Sequence, residues 1–239
     1  MLDTSRAMTV KPFLRLAALI ILGAALVAPL VSAHGVGEGD AGFIESNEGL
    51  AIFPFMYLGA KHMVTGYAHL LFLVGVIFFL YKMKDVAIYV SMFTLGHSAT
   101  LLIGVLGGVH ANSYIIDAII GFSVVYKGFD NLGGFKRFLG FQPNTKAAVL
   151  IFGLFHGFGL ATKVQQLSLS KEGLLGNILA FNVGVEIGQV LALGGIIIGL
   201  DYWRRHPGYL NHAFMTNILL MAGGFILVGY QLTGYFVGA

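Results

Sequence analysis

His62-Met63-Val64-Thr65-Gly66-Tyr67-Ala68-His69 runs straight into Leu70-Leu71-Phe72-Leu73-Val74-Gly75. Read as the entry to one long apolar helix, the stretch places two histidines seven residues apart, on one face about two turns apart. An imidazole inside hydrocarbon is costly without a partner, so it is read first as functional. Four later apolar segments each carry one polar candidate: His97, Asp117, His156 and Glu186. The expected fold is an all-α polytopic membrane bundle whose helices aim polar ligands at a shared interior site.

Composition supports the membrane. Of 239 residues, 57% are hydrophobic and 10% charged, against about 25% charged in soluble domains. So few charges cannot cover a soluble surface, and the bilayer is the solvent. At about 20 residues per crossing the chain accommodates about six spans. The 34 glycines suit close helix packing in lipid. A net charge of +3 is too small and scattered for a nucleic-acid partner. There is no cysteine, which excludes disulfides, thiolate metal sites and cysteine nucleophiles, so any metal would be held by nitrogen and oxygen. No phosphate loop, nucleotide fold or serine triad is present, and no enzyme is expected.

Residues 1–33 read as a secretory signal peptide. Arg6, Lys11 and Arg15 precede an apolar run, and Val31-Ser32-Ala33 offers small residues for cleavage. An uncleaved first span is the alternative. A cut after Ala33 would begin the mature chain at His34, whose amine and imidazole together could chelate copper or nickel. Residues 34–50 are glycine-rich and acidic, an exposed lead-in, and residues 51–239 form the transmembrane domain. Its spans are expected at about 52–80, 86–106, 113–126, 147–162, 174–200 and 214–236. An outside N-terminus then puts Lys82, Lys84, Lys127, Lys136, Arg137, Lys146, Arg204 and Arg205 on the cytoplasmic side. Only Lys61, Lys163 and Lys171 remain outside, as the positive-inside rule requires. The expected location is the inner or plasma membrane.

Inside the spans, His69 lies more than one turn deep among apolar residues, while His62 is nearer the outer surface. His97 is followed by Ser98 and Thr100, hydroxyls that either satisfy helix carbonyls or orient the ring. His156 is followed by Gly157 and Gly159, where another helix can approach. Asn182, Glu186 and Gln189 fall at i, i+4 and i+7, a polar stripe in which a mid-membrane carboxylate must be protonated, paired or cation-bound. Asp117 lies near an outer helix end, as a helix-end acid or an entrance ligand. Gly66-Tyr67-Ala68-His69 and Gly153-Leu154-Phe155-His156 share a glycine-to-histidine spacing that hints at two three-span halves. Several imidazoles with carboxylates and no sulfur suit nickel, cobalt, zinc or copper(II), and equally suit a proton relay.

Four blocks together resemble the HupE/UreJ family of small membrane proteins: His62 through Phe72, Phe93-Thr94-Leu95-Gly96-His97-Ser98-Ala99-Thr100-Leu101, Phe152 through Ala161, and Phe181-Asn182-Val183-Gly184-Val185-Glu186-Ile187-Gly188-Gln189. That family is regarded as hydrogenase and urease accessory proteins, thought to be nickel or cobalt permeases. The resemblance implies that His62 and His69 lie on a metal path. Ala68 stands where the family pattern has aspartate. The expectation is a permease in which His62 and Asp117 capture a divalent metal. His69, His97, His156 and Glu186 then hold it at mid-membrane, with Ser98, Asn182 and Gln189 as supporting partners. Two alternatives stand beside it. One is a non-catalytic accessory subunit bound to metalloenzyme maturation machinery or to its own copies. The other is a membrane-embedded zinc hydrolase.

Overall fold

The structure, a computed structural model, describes residues 38–166 and 171–238. The expected signal peptide, its cleavage after Ala33 and the His34 chelate lie outside these residues. The elements are α1 Glu38–Ser46, α2 Ile52–Thr65, α3 Tyr67–Ile77, α4 Met83–Gly107 and α5 Ser113–Asn131. A short π-helical turn follows at Phe135–Leu139, then α6 Thr145–Val164, α7 Leu174–Arg204 and α8 Tyr209–Val237. The described residues contain no strand, and the protein is an all-α membrane bundle. Helices α4, α6, α7 and α8 are each long and apolar enough to cross a bilayer, and α2 with α3 makes a fifth crossing if the bent pair is one span. The remaining expected span, the third in chain order, is α5, set apart by three charges, Asp117, Lys127 and Asp130. Lys127 is held by Asp130 at 2.5 Å, and Asp117 by Lys163 of α6 at 2.6 Å.

The first span departs from the single straight helix expected from its apolar run. Helix α2 ends at Thr65, α3 starts at Tyr67, and their axes differ by 63°. Gly66 between them is extended, with φ −73° and ψ 91°, and its N–H donates to the His62 carbonyl at 2.9 Å. A Cβ at this position would stand 2.9 Å from that carbonyl oxygen and 3.0 Å from His69 Nδ1. Glycine is what lets the chain turn this tightly between two histidines.

Three helix pairs form the bundle, each joined by glycines that meet a backbone carbonyl. A Cβ at Gly157 of α6 would lie 2.0 Å from the His97 carbonyl oxygen of α4. One at Gly184 of α7 would lie 1.9 Å from the Met56 carbonyl oxygen of α2, and one at Gly224 of α8 would lie 2.9 Å from that of Gly121 in α5. This is how small residues bring helices together where water supplies no hydrophobic drive between them. Gly157→Val should therefore push α4 from α6, carrying His97 away from His156, at about 1–3 kcal/mol or more for overpacking. A lowered unfolding temperature in detergent checks this, and an unchanged one contradicts it.

Polar side chains secure the ends. Asn112 and Asn144 cap α5 and α6 by accepting from Ile115 N–H and from Lys146 and Ala147 N–H. Gly108, at φ +61°, ends α4. Arg204 donates to the carbonyls of Ile77 and Phe78 at 2.6 and 2.7 Å, and Tyr209 Oη donates to Phe78 at 2.9 Å. These satisfy carbonyls at the end of α3 that have no helical partner. At the other end of the bundle Asn177 donates to Gly49 and accepts from Ala51 N–H, both at 2.7 Å, tying the lead-in to α7.

Candidate functional site: a buried histidine cluster

Four imidazoles from four helices meet inside the bundle. His62 comes from the last turn of α2, His69 from the first turn of α3, His97 from the middle of α4 and His156 from the middle of α6. All four are buried, His69 and His156 completely. His69 is the hub, with ring centroids 5.2 Å from His62, 5.7 Å from His97 and 4.6 Å from His156. The bend at Gly66 makes this convergence, because it turns α3 back so that a ring two turns away in sequence meets its neighbour edge-on. The two histidines that follow the repeated glycine spacing, His69 and His156, are the closest pair. Phe72, Phe93 and Phe181 wall the cluster, with Phe93 5.0 Å from His156 and Phe72 5.3 Å from it.

Ser123 of α5 sets the orientation of one ring. Its hydroxyl donates to the Ile120 carbonyl at 2.6 Å and lies 3.2 Å from His156 Nε2. With the hydroxyl proton on Ile120, Nε2 is the donor to Ser123, and the electron pair of His156 is then on Nδ1. His97 is the opposite case: neither buried ring nitrogen has a hydrogen-bond partner among the described residues. A buried polar atom left so costs about 1–3 kcal/mol, which an ion or donor accepted by the ring would recover. The donor set, all imidazole nitrogen, fits a borderline divalent metal. Among the described residues no three His, Asp or Glu side chains stand placed to hold one ion together. As they stand, the rings form three close pairs that share His69.

Two expected ligands are elsewhere. Asp117 is buried, and its carboxylate is paired with Lys163. Glu186 is exposed and lines a hollow on the outer face between α4 and α7, with Ser91, Thr94, Ser98 and Gln189. The reason lies in the stripe itself. Asn182 and Gln189 are buried against α4, where Ser98 Oγ donates to Asn182 Oδ1 at 3.0 Å and Thr94 Oγ1 to Gln189 Oε1 at 2.7 Å. Glu186 lies about 40° further round the helix from Asn182 and so clears that contact. Ser98 accordingly serves the α4–α7 contact instead of the His97 ring, while Thr100 donates to the carbonyls of Gly96 and Leu154 at 3.0 and 2.7 Å.

Sequence reasoning missed Ser123, Thr94 and Lys163. The charge pattern places Lys163 outside the spans, but α6 runs on to Val164 and carries it inside. Its position and that of Asp117, both at outer ends of spans, were the available signal. Nothing local marks Ser123 as facing a histidine 33 residues on.

The sequence profile of a family described as HupE / UreJ protein matches residues 38–239, the whole of the described bundle. The chain belongs to the HupE/UreJ family. No curated protein and no solved structure matches it. In this HupE/UreJ chain Ala68 is packed in an apolar cluster with Ile116, Ile120 and Leu227. The alanine at the place of the family aspartate thus takes nothing from the ring-to-ring contacts of His62, His69, His97 and His156.

Proposed function

We propose that the chain is a six-span permease of the inner or plasma membrane, with its mature N-terminus outside. Its cargo is a divalent transition metal, nickel or cobalt, passed along His62, His69, His97 and His156. The observation that carries this reading is the hub: one fully buried imidazole in ring contact with three others, each from a different helix. A path must bind its ion well enough to take it from water and weakly enough to release it. Pairs of imidazoles in sequence meet that need better than a closed four-ligand cage. His62, nearest the outer end, receives the ion. His69 passes it to His156, whose electron pair Ser123 holds in place, and to His97. The chain has no ATP-binding motif, so the membrane potential or a second ion would drive uptake.

The zinc hydrolase alternative needs Ser98 and an aspartate beside the histidines, and both are engaged elsewhere, with Asn182 and Lys163. Intact cells that express the chain should accumulate radiolabelled nickel or cobalt above cells that do not. No accumulation of either, with the protein present in the membrane, would reject the permease in favour of an accessory subunit. Ser123→Ala should weaken metal binding by roughly 10–100-fold, the usual effect of losing the partner that orients a ligating histidine. Calorimetric titration of the purified variant with nickel reads the change, and an unaltered affinity contradicts the role given to Ser123.

A further inference from the structure

The hollow beside Glu186 is separate from the histidine cluster in both place and chemistry. It holds about 430 Å³ between α4 and α7 and is lined by Val90, Ser91, Thr94, Leu95, Ser98, Glu186, Gln189 and Val190. A smaller hollow of about 330 Å³ lies on the other side of the same carboxylate, against Ile187, Val190 and Leu191. Glu186 is the thirteenth residue of the 31 in α7, about 18 Å along the helix from its start, and so at mid-depth in a hydrocarbon core about 30 Å thick. Among the described residues it has no hydrogen bond and no ion pair. No other side chain lining either hollow is titratable or charged. A carboxylate at this depth must be neutralised, and neither α4 nor α7 offers it a basic partner there.

Of the rest of the lining, the two hydroxyls are arranged to accept, while the Gln189 amide nitrogen can only donate. Thr94 and Ser98 spend their hydroxyl protons on the amide oxygens of Gln189 and Asn182, so their remaining electron pairs are acceptors. Gln189 is itself buried, and its amide nitrogen has no hydrogen-bond partner among the described residues. A ligand that meets the carboxylate and hydroxyl oxygens without needing a donor from them is a cation. Oxygen ligands select hard cations, whereas the histidine cluster offers only nitrogen.

We propose that the Glu186 hollow is a second ion site, for a hard monovalent cation held by oxygen, Na⁺ shared between the Glu186 carboxylate and the Thr94 and Ser98 hydroxyls. Resting on the permease reading, this site would supply the ion whose movement drives metal uptake; as a binding site it stands without that reading.

The test uses the full chain in lipid vesicles and a membrane-soluble carbodiimide, which adds to protonated carboxyl groups, with the adduct at Glu186 read by mass spectrometry. Glu186→Gln is the control that must show no adduct there. Labelling should be strong in the absence of Na⁺. Labelling insensitive to Na⁺ overturns the site. Labelling suppressed several-fold by Na⁺, with the suppression weakened in Ser98→Ala, assigns sodium. No adduct at any pH overturns the site and leaves this face to a second copy of the chain. A chain that labels as expected but carries no metal refutes the permease and leaves the cation site standing, and a chain that carries metal but does not label refutes the cation site alone.

Discussion

His69→Ala should reduce nickel and cobalt uptake to background, while His62→Ala leaves a measurable fraction. The difference follows from position. His69 touches the other three rings, at 4.6, 5.2 and 5.7 Å, so its removal disconnects His62 from His97 and His156 at once. His62 meets His69 at the outer end of the cluster, and its loss removes the outermost step while His69, His97 and His156 remain linked. The alanine leaves a cavity beside Phe72 and Phe93 but no stranded charge, so the variant should fold and reach the membrane. Equal losses in the two variants would show that the rings act without an order, and full uptake in His69→Ala would remove the cluster from the path.

Asp117→Asn should be the most destabilising polar substitution in the bundle. The aspartate is buried and its carboxylate meets Lys163 at 2.6 Å, with the lysine side chain itself only 16% exposed. Taking the charge from one partner removes the carboxylate that the buried Lys163 ammonium meets, at a cost of about 3–5 kcal/mol. The paired replacement Asp117→Leu with Lys163→Met removes both charges and should recover most of the loss, since well-packed apolar residues often replace a buried ion pair without penalty. Thermal unfolding in detergent across the single and double variants separates the cases. A single variant that melts like the parent would mean that the pair contributes nothing. A double variant as weak as the single one would mean that packing, rather than charge, is at stake.

Much of the fold could be read from the apolar runs alone. Helices α4, α6, α7 and α8 lie within a few residues of the spans expected from hydropathy, because in lipid a span must be both apolar and helical. The bend at Gly66 could not be read that way. The same residues would continue a straight helix, and the turn shows only in how closely Gly66 stands against the His62 carbonyl and the His69 ring. The histidines were legible because each is a lone polar ring in an apolar segment. The two carboxylates could not be told apart in that way. Asp117 and Glu186 look alike in sequence, as single acids in apolar surroundings, yet one is neutralised by Lys163 from a helix 46 residues away and the other turns outward beside Asn182 and Gln189. What separates them is the rotation of each helix about its own axis, which is set by glycine contacts with other helices and leaves little trace in the local pattern.

The most direct measurement is nickel flux into lipid vesicles that contain only the purified chain, followed with a metal-sensitive dye inside and with His69→Ala vesicles in parallel. The account predicts saturable uptake through the wild-type chain and none above leak through the variant. Equal flux in both, or no flux in either with the protein folded and inserted, would contradict a histidine path for the metal.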